Sequence, residues 1–441
     1  MAINKNLKQS LNKIREISSD IYHMYVPVIE DDTDISVFAN PILTNSDVRN
    51  EFCNALICRI AYTGFTTKYF KNPLQVLEGD NMPLGAIGQD IFVNPSKGRQ
   101  FNGEDFAGLL AKYEADVKVQ YFPLNMDKQY PVTISRQQLR TAFTSWEDLG
   151  TFIENIINSL YNGAYIDSFN YTKYIISSAY KDNKGVIEQI SGVSSEALAK
   201  EFVAKARTMF LNFQTPQSKF NAWAKCGGSS RPITTWSDPE EIVFLVRNDI
   251  RSYLDVNVLA TSFNVESSKL LGRILPVDNF DAYDDEGNKI FDGSKIVGCI
   301  CDASWFKIKQ QDMFMDTFYN PNNRTTQYYL NLIKSYNFSL FANGVIFATE
   351  IPEVTIAEIS TSVEEIEVNV GETATLEITT NPITANNPTI TYTSADTTKF
   401  TVEADANNNK KCVITGVATG TKNLTISAGQ VTKTVSVKVV A

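Results

Sequence analysis

One histidine, His23, is all that 441 residues contain, and that scarcity removes a good deal of catalytic chemistry at once. Multi-histidine zinc sites need several imidazoles, and no serine or cysteine stands in a recognisable triad setting. His23 lies in "DIYHMYVP" beside an N-terminal helical pattern, where a lone imidazole reads as a surface or packing residue. The six cysteines (Cys53, Cys58, Cys226, Cys299, Cys301 and Cys412) have no framework spacing, so a disulfide scaffold is not expected and the chain reads as reduced and made in a cytoplasm. Cys299 and Cys301 form C-x-C without a second pair elsewhere, which favours core thiols over metal ligands. The start, "MAINKNLKQSLNKIREISSD", lacks an apolar secretory core, and no apolar run reaches the length of a membrane span. Neither secretion nor membrane insertion is expected.

Basic residues are also in deficit. Forty Lys and Arg against fifty Asp and Glu leave a net charge of −10. That balance argues against a sequence-reading DNA or RNA binder, which carries a clustered basic footprint. It is compatible with a container wall that repels phosphate. No Walker-type loop is present, and "PLGAIGQ" lacks the lysine and the strand-to-helix context of a phosphate cradle. "DAYDDEGNKIFD" (281–292) is rich in carboxylates, but Tyr283 stands where a calcium ligand should be and the last residue is Asp292. A solvated hairpin turn around Glu286, Gly287 and Asn288 explains it better. No catalytic residue, cofactor or metal ligand is therefore expected, and function is sought in surfaces.

A further absence marks a domain boundary. From 351 to 441 there is no arginine, no tryptophan, and only Tyr392 and Phe400 as aromatics, while nineteen of those 91 residues are threonine. Threonine suits pleated strands and weakens helices. Alternation at Leu376 and Ile378, at Ile390 and Tyr392, and at Val431, Lys433, Val435, Val437 and Val439 has a period of two. Turn residues interrupt it at Gly371, "NPITANNP", "DANNNKK" and "GVATG". Short strands so spaced predict an antiparallel β-sandwich.

What is present before that boundary is mixed. Leu7, Leu11, Ile14, Ile17 and Ile21 predict one amphipathic N-terminal helix. Ser145 with Asp148 makes a capping-box-like start. The apolar stripe Leu149, Phe152, Ile153, Ile156, Ile157, Leu160, Tyr161 and Ala164 then predicts a helix of about 35 residues ending at "KDNKG", with Gly163 as a site of bending. Residues 73–135 have strand-like pieces, "DIFVN" and "VKVQYFP", around a polar, glycine-containing middle. They predict a two-stranded arm with too little apolar surface to fold alone. From 186 to 350 helices and strands alternate irregularly, which is α+β rather than repeated βαβ.

The run "TAFTSWEDLGTFIENIINSLYNGAYIDSFNY", with "LDVNVLATSFN" (254–264) and "SLFANGVIFATEIPEV" (339–354), resembles the major capsid proteins of small tailed phages of the phi 29 type. "VEEIEVNVGETATLEITTNP", "ITYTSADTTKFTVE" and "CVITGVATGTKNLTISAG" resemble the bacterial immunoglobulin-like group 2 module. The resemblance covers essentially the whole chain. It implies an α+β Hong Kong 97-like capsid fold followed by an all-β immunoglobulin-like sandwich. Residues 1–67 would be an N-terminal arm and approach, 68–135 an extended loop, and 136–185 a peripheral domain with a spine helix. Residues 186–325 would form an axial domain, 326–350 a return to the peripheral domain, and 351–441 the terminal module. The implied function is self-assembly into the icosahedral shell of a tailed phage, as pentamers and hexamers. Scaffolding protein and portal would be partners in assembly in the host bacterial cytoplasm, and double-stranded DNA would be enclosed without sequence-specific binding or any membrane. Lys97 and Arg99, near the expected tip of the extended loop, are the candidate intersubunit contacts. The outer module would brace capsomers or bind cell-surface glycans weakly. The alternative is a tail or cell-surface adhesin whose β-sandwich binds carbohydrate.

Overall fold

A computed structural model describes residues 5–60, 70–99, 111–226, 232–254, 273–284, 286–406 and 408–441. The chain divides into two compact units. One comprises Met1–Gly88, Tyr121–Thr172 and Lys307–Asn337, and the other Gln89–Gln120, Lys173–Phe306 and Phe338–Ala441.

The first unit opens with four helices, Lys5–Ile17, Asp20–Tyr25, Ile35–Thr44 and Ser46–Ile60. Leu7, Leu11 and Ile14 are buried as their spacing predicts, but Ile17 and Ile21 are 50% and 54% exposed. The single helix expected through Ile21 is in fact two. Ser19 caps the second helix through the amide of Tyr22, and the Arg15 Nε bonds the Val26 carbonyl at 2.7 Å. Asn12 exchanges two 2.8 Å bonds with the backbone of Ile29. These polar bonds turn the chain back before the apolar stripe is complete. Phe38 packs against Phe52, Phe143 and Trp146, with ring centroids 5.5 to 5.9 Å apart.

Strand Met126–Ser135 pairs antiparallel with Thr325–Phe338, which also pairs with Phe306–Asn320. The last ten residues of the segment read as an extended loop thus belong to a three-stranded sheet.

The long helix runs unbroken from Trp146 to Lys181, 36 residues or about 54 Å. The Ser145 hydroxyl accepts the Asp148 amide at 3.0 Å and donates to the Asp148 carboxylate at 2.7 Å, so the expected cap is formed. Leu149, Ile153, Ile156, Leu160 and Ala164 are buried, Phe152 and Tyr161 half-buried, and the Ile157 side chain is outside the described set. Gly163 does not break the helix. Its missing Cβ makes room for Tyr130, whose ring carbon would lie 3.2 Å from it. At the far end Asn183 adopts φ 51° and the amides of Lys184 and Gly185 both return to the Ala179 carbonyl.

In the second unit a five-stranded sheet has the order Val186–Gln189, Gly344–Ala348, Ile296–Asp302, Ile242–Arg247, Arg273–Val277. Helix Glu196–Phe213 covers it, with Phe202 5.9 Å from Phe244 and 5.2 Å from Phe347. Gly344 is required because a Cβ there would come within 2.8 Å of the Trp305 indole. The segment 326–350 is therefore shared out. Its first part pairs with 126–135, and Gly344–Ala348 joins the five-stranded sheet.

From Glu358 to Val440 two four-stranded sheets follow. Leu376, Phe400, Cys412 and Ile414 of one meet Leu424, Ile426, Val435 and Val437 of the other in a single buried cluster. The threonine-rich alternation predicted such a sandwich, but not a wholly antiparallel one: Glu365–Asn369 pairs parallel with Val431–Val440, while the other pairs are antiparallel. Each sheet contributes every second side chain to this core.

Candidate assembly surfaces

The residues most suggestive of chemistry all have structural employment. A ring nitrogen of His23 meets the Arg15 carbonyl where the first two helices turn. Cys299 and Cys301 lie two residues apart in a fully buried strand and so share one face. Burial and the neighbouring Cys299 push the Cys301 thiol well above its ordinary range. In the acidic stretch, Asp284 accepts the side-chain amide of Asn288 at 3.1 Å and the backbone amides of Asn288 and Glu286 at 2.7 and 3.0 Å, which closes the turn and holds its carboxyl below the ordinary carboxylate range. Lys289 bridges Asp281 and Asp292, each at 3.0 Å. Asp285 lies outside the described residues. Among those described, no three His, Cys, Asp or Glu side chains gather to hold a metal, and no helix is long and apolar enough to cross a membrane.

The arm carries the strongest unexplained surface. Strands Gly88–Val93 and Val117–Phe122 form a two-stranded sheet, and their alternation sorts side chains onto two faces. In the second unit one face is tied to the chain's own body. Asp90 accepts the Ser339 hydroxyl at 2.6 Å, and Gln120 bonds the Phe338 carbonyl and the Leu340 amide. Phe92 packs 5.7 Å from Phe341, and the Lys118 ammonium lies 5.8 Å from the Trp223 ring centre. Asn94, just past the first strand, clasps Pro232 and Thr234.

Among the described residues the opposite face has no such partners, and apart from Gln89 it is apolar. Ile91 and Val93 are each 55% exposed, Val117 48%, Val119 40% and Tyr121 66%. The arm, expected to have too little apolar surface to fold alone, is held on the Asp90 and Gln120 face by its own chain. Half of the sheet is satisfied at home, and the unsatisfied half is more hydrophobic than its polar, glycine-containing middle suggested. An exposed contiguous apolar face of this kind marks an interaction surface.

Lys97 and Arg99 follow the first strand and are both exposed. The Arg99 guanidinium sits 5.4 Å from the Tyr113 ring centre, so the structure brings Arg99 to the returning limb of the arm and leaves Lys97 in solvent. Residues 100–110, between the two limbs of the arm, and most of the stretch "LDVNVLATSFN" (254–264) lie outside the described residues.

Comparison with known proteins gives this geometry a context. The sequence model of the Phi29-like phage major capsid protein family matches residues 11–348. The major capsid protein of Bacillus phage B103 is 29% identical over 364 residues, 81% of this chain and 76% of that protein. That of Streptococcus phage Cp-1 is 24% identical over 76% of this chain and 92% of its own length. Among solved structures, the capsid of Staphylococcus phage Andhra matches with a TM-score of 0.52 at 14% identity, covering 64% of this chain and 86% of that one. At that identity the likeness speaks to fold alone, an α+β phage-capsid fold of the Hong Kong 97 kind.

Proposed function

This chain belongs to the Phi29-like phage major capsid protein family, and on that premise we propose how its surfaces build a shell. It is the major capsid protein of a tailed phage, many copies of which form the icosahedral capsid. The observation that carries the assembly reading is the apolar outer face of the arm, centred on Ile91, Val93, Val117 and Val119. In the shell this face lies on a neighbouring copy within pentamers and hexamers, and the Lys97 and Arg99 end of the arm reaches that neighbour's polar surface. Burying four or five such side chains yields a modest contact, which closure multiplies. Modest contacts let misplaced subunits leave before the shell closes.

The role is structural, without catalysis or cofactor. Residues 1–67 serve as arm and approach, 68–135 as the extended loop, and the long helix as the spine of a peripheral domain. The net charge of −10 disfavours adsorption of enclosed double-stranded DNA to the wall, which keeps it free to be packed and ejected. Scaffolding protein and portal take part in assembly, which occurs in the host bacterial cytoplasm. The terminal sandwich is a bacterial immunoglobulin-like group 2 module on the outer surface. It braces capsomers or binds cell-surface glycans weakly. Its self-contained core supports this reading, because a module with its own hydrophobic cluster folds without the shell.

Electron microscopy of the expressed chain tests the whole proposal: closed or partial shells, or curved capsomer sheets, are expected, and monomers or fibres alone would overturn it. A chain ending at Ile351 should still assemble, with shells that melt or dissociate more readily. Amorphous product from soluble truncated protein would show that the sandwich is required for closure.

A further inference from the structure

We propose that the cleft between the terminal sandwich and the end of the long helix is a binding site for a phosphoryl group. The cleft is about 520 Å³, lies within the second unit, and is lined on one side by Asn183 and Lys225 and on the other by Glu377, Thr380, Asn409 and Lys410, with Lys411 at its rim. Its floor is set by the docking of the sandwich, where the Asn183 amide donates to the Thr384 carbonyl at 3.1 Å and the Thr384 hydroxyl to the Asp182 carbonyl at 2.6 Å.

The charge balance inside the cleft is the reverse of the chain's. Three lysines and one glutamate line it, and Lys411 pairs with Glu377, which leaves Lys225 and Lys410 with two positive charges. Both ammonium groups donate to neutral oxygens. Lys225 bonds Asn183 Oδ1 at 3.0 Å and the Gly185 carbonyl at 2.9 Å. Lys410 bonds Thr380 Oγ1 at 2.8 Å and the Ile383 carbonyl. Burial pushes both lysines below their ordinary range, as expected for cations drawn from water without an opposing carboxylate.

Each ammonium keeps one N–H beyond the two bonds just given, and two cations without a carboxylate partner suit a dianion with three oxygens better than a monovalent carboxylate. Among the described residues no aromatic side chain lines the cleft to stack on a sugar face, so a neutral saccharide is a poorer fit. The phosphoryl group is either free phosphate or the charged end of a larger molecule. The inference stands on the cleft alone and does not depend on how shells close.

A ³¹P NMR titration of the full chain with inorganic phosphate and with glycerol 1-phosphate, at constant ionic strength in chloride, tests it. Saturable broadening with a dissociation constant on the order of millimolar is expected. Lys225→Gln and Lys410→Gln should each weaken it roughly tenfold or more, the scale of a lost charge-assisted bond. Asn409→Trp, which leaves both lysines in place and fills the cleft, should abolish it. Lys438→Gln, on the outer sandwich surface beside Glu367, should leave it unchanged. Glycerol 1-phosphate binding as tightly as phosphate supports a site for the phosphorylated end of a larger molecule, and phosphate binding alone supports the free ion. No saturable binding, or equal loss in the Lys438 variant, overturns the proposal.

Discussion

Ile91→Lys combined with Val119→Lys should eliminate closed shells while leaving the single chain folded. Both side chains lie on the outer face of the arm and are already half in water, so polar replacement costs the isolated chain little, within about 0.5 kcal/mol per site. The inner face, with Phe92 on Phe341 and Asp90 on Ser339, is untouched. In a shell the same two positions lose about 1 kcal/mol of apolar burial each, because they are already half buried, and desolvating each ammonium costs at least about as much again. A loss near 4 kcal/mol weakens each arm contact roughly a thousandfold. Since the contact repeats in every copy, the concentration needed for assembly rises out of reach. Sedimentation velocity and electron microscopy report the assembly, and far-ultraviolet circular dichroism reports the fold. Ile91→Val with Val119→Ile, which keeps the face apolar, should assemble normally. Wild-type yields of shells from the double lysine variant would remove the arm face from the mechanism.

That face also shows where sequence reading reaches its limit. The long helix was legible because everything that defines it is local: a serine and an aspartate three apart, a stripe at helical spacing, and a turn residue at each end. The sandwich was legible because strand alternation and turn chemistry recur every few residues from 365 to 440. In "DIFV" and "VKVQYF", by contrast, the strands could be read but not which face is satisfied. The partners that decide it, Phe338 and Ser339, lie 218 and 249 residues along the chain from Gln120 and Asp90. The split N-terminal helix escaped for a related reason. Its stripe continues through Ile21, but the side chains of Asn12 and Arg15 bond carbonyls that pattern alone does not bring near. Gly163 was read as a bend because glycine weakens helices, whereas the cause is the approach of Tyr130. The cleft behind Lys225 and Lys410 was invisible too, since those lysines are 185 positions apart.

The same limit hides the polar cluster expected to contribute most to the stability of the first unit. Lys334 sits in the strand Thr325–Phe338 among apolar neighbours, with its side chain only 7% exposed. Its ammonium donates to both oxygens of Glu78 at 3.1 Å and to the Ser168 hydroxyl at 3.0 Å. Ser168, on the long helix, also lies 2.6 Å from the Tyr336 hydroxyl. Burial, with the charge of Glu78 adding to it, pushes the Tyr336 phenol upward, so it stays neutral and keeps its hydrogen. One lysine thus ties a loop, a strand and the long helix together. Lys334→Ala removes the cation paired with Glu78 and strands a mostly buried carboxylate, for a loss of about 3–5 kcal/mol. Removing both charges, as Lys334→Met with Glu78→Gln, should recover most of it, because no uncompensated ion is then buried. Denaturant unfolding followed through Trp146, the one tryptophan of this unit, gives both values, and Lys334→Met and Glu78→Gln made singly close the cycle with the double variant. If Lys334→Ala costs less than about 1 kcal/mol, the pair is a solvated contact and the three elements are held by their apolar packing alone.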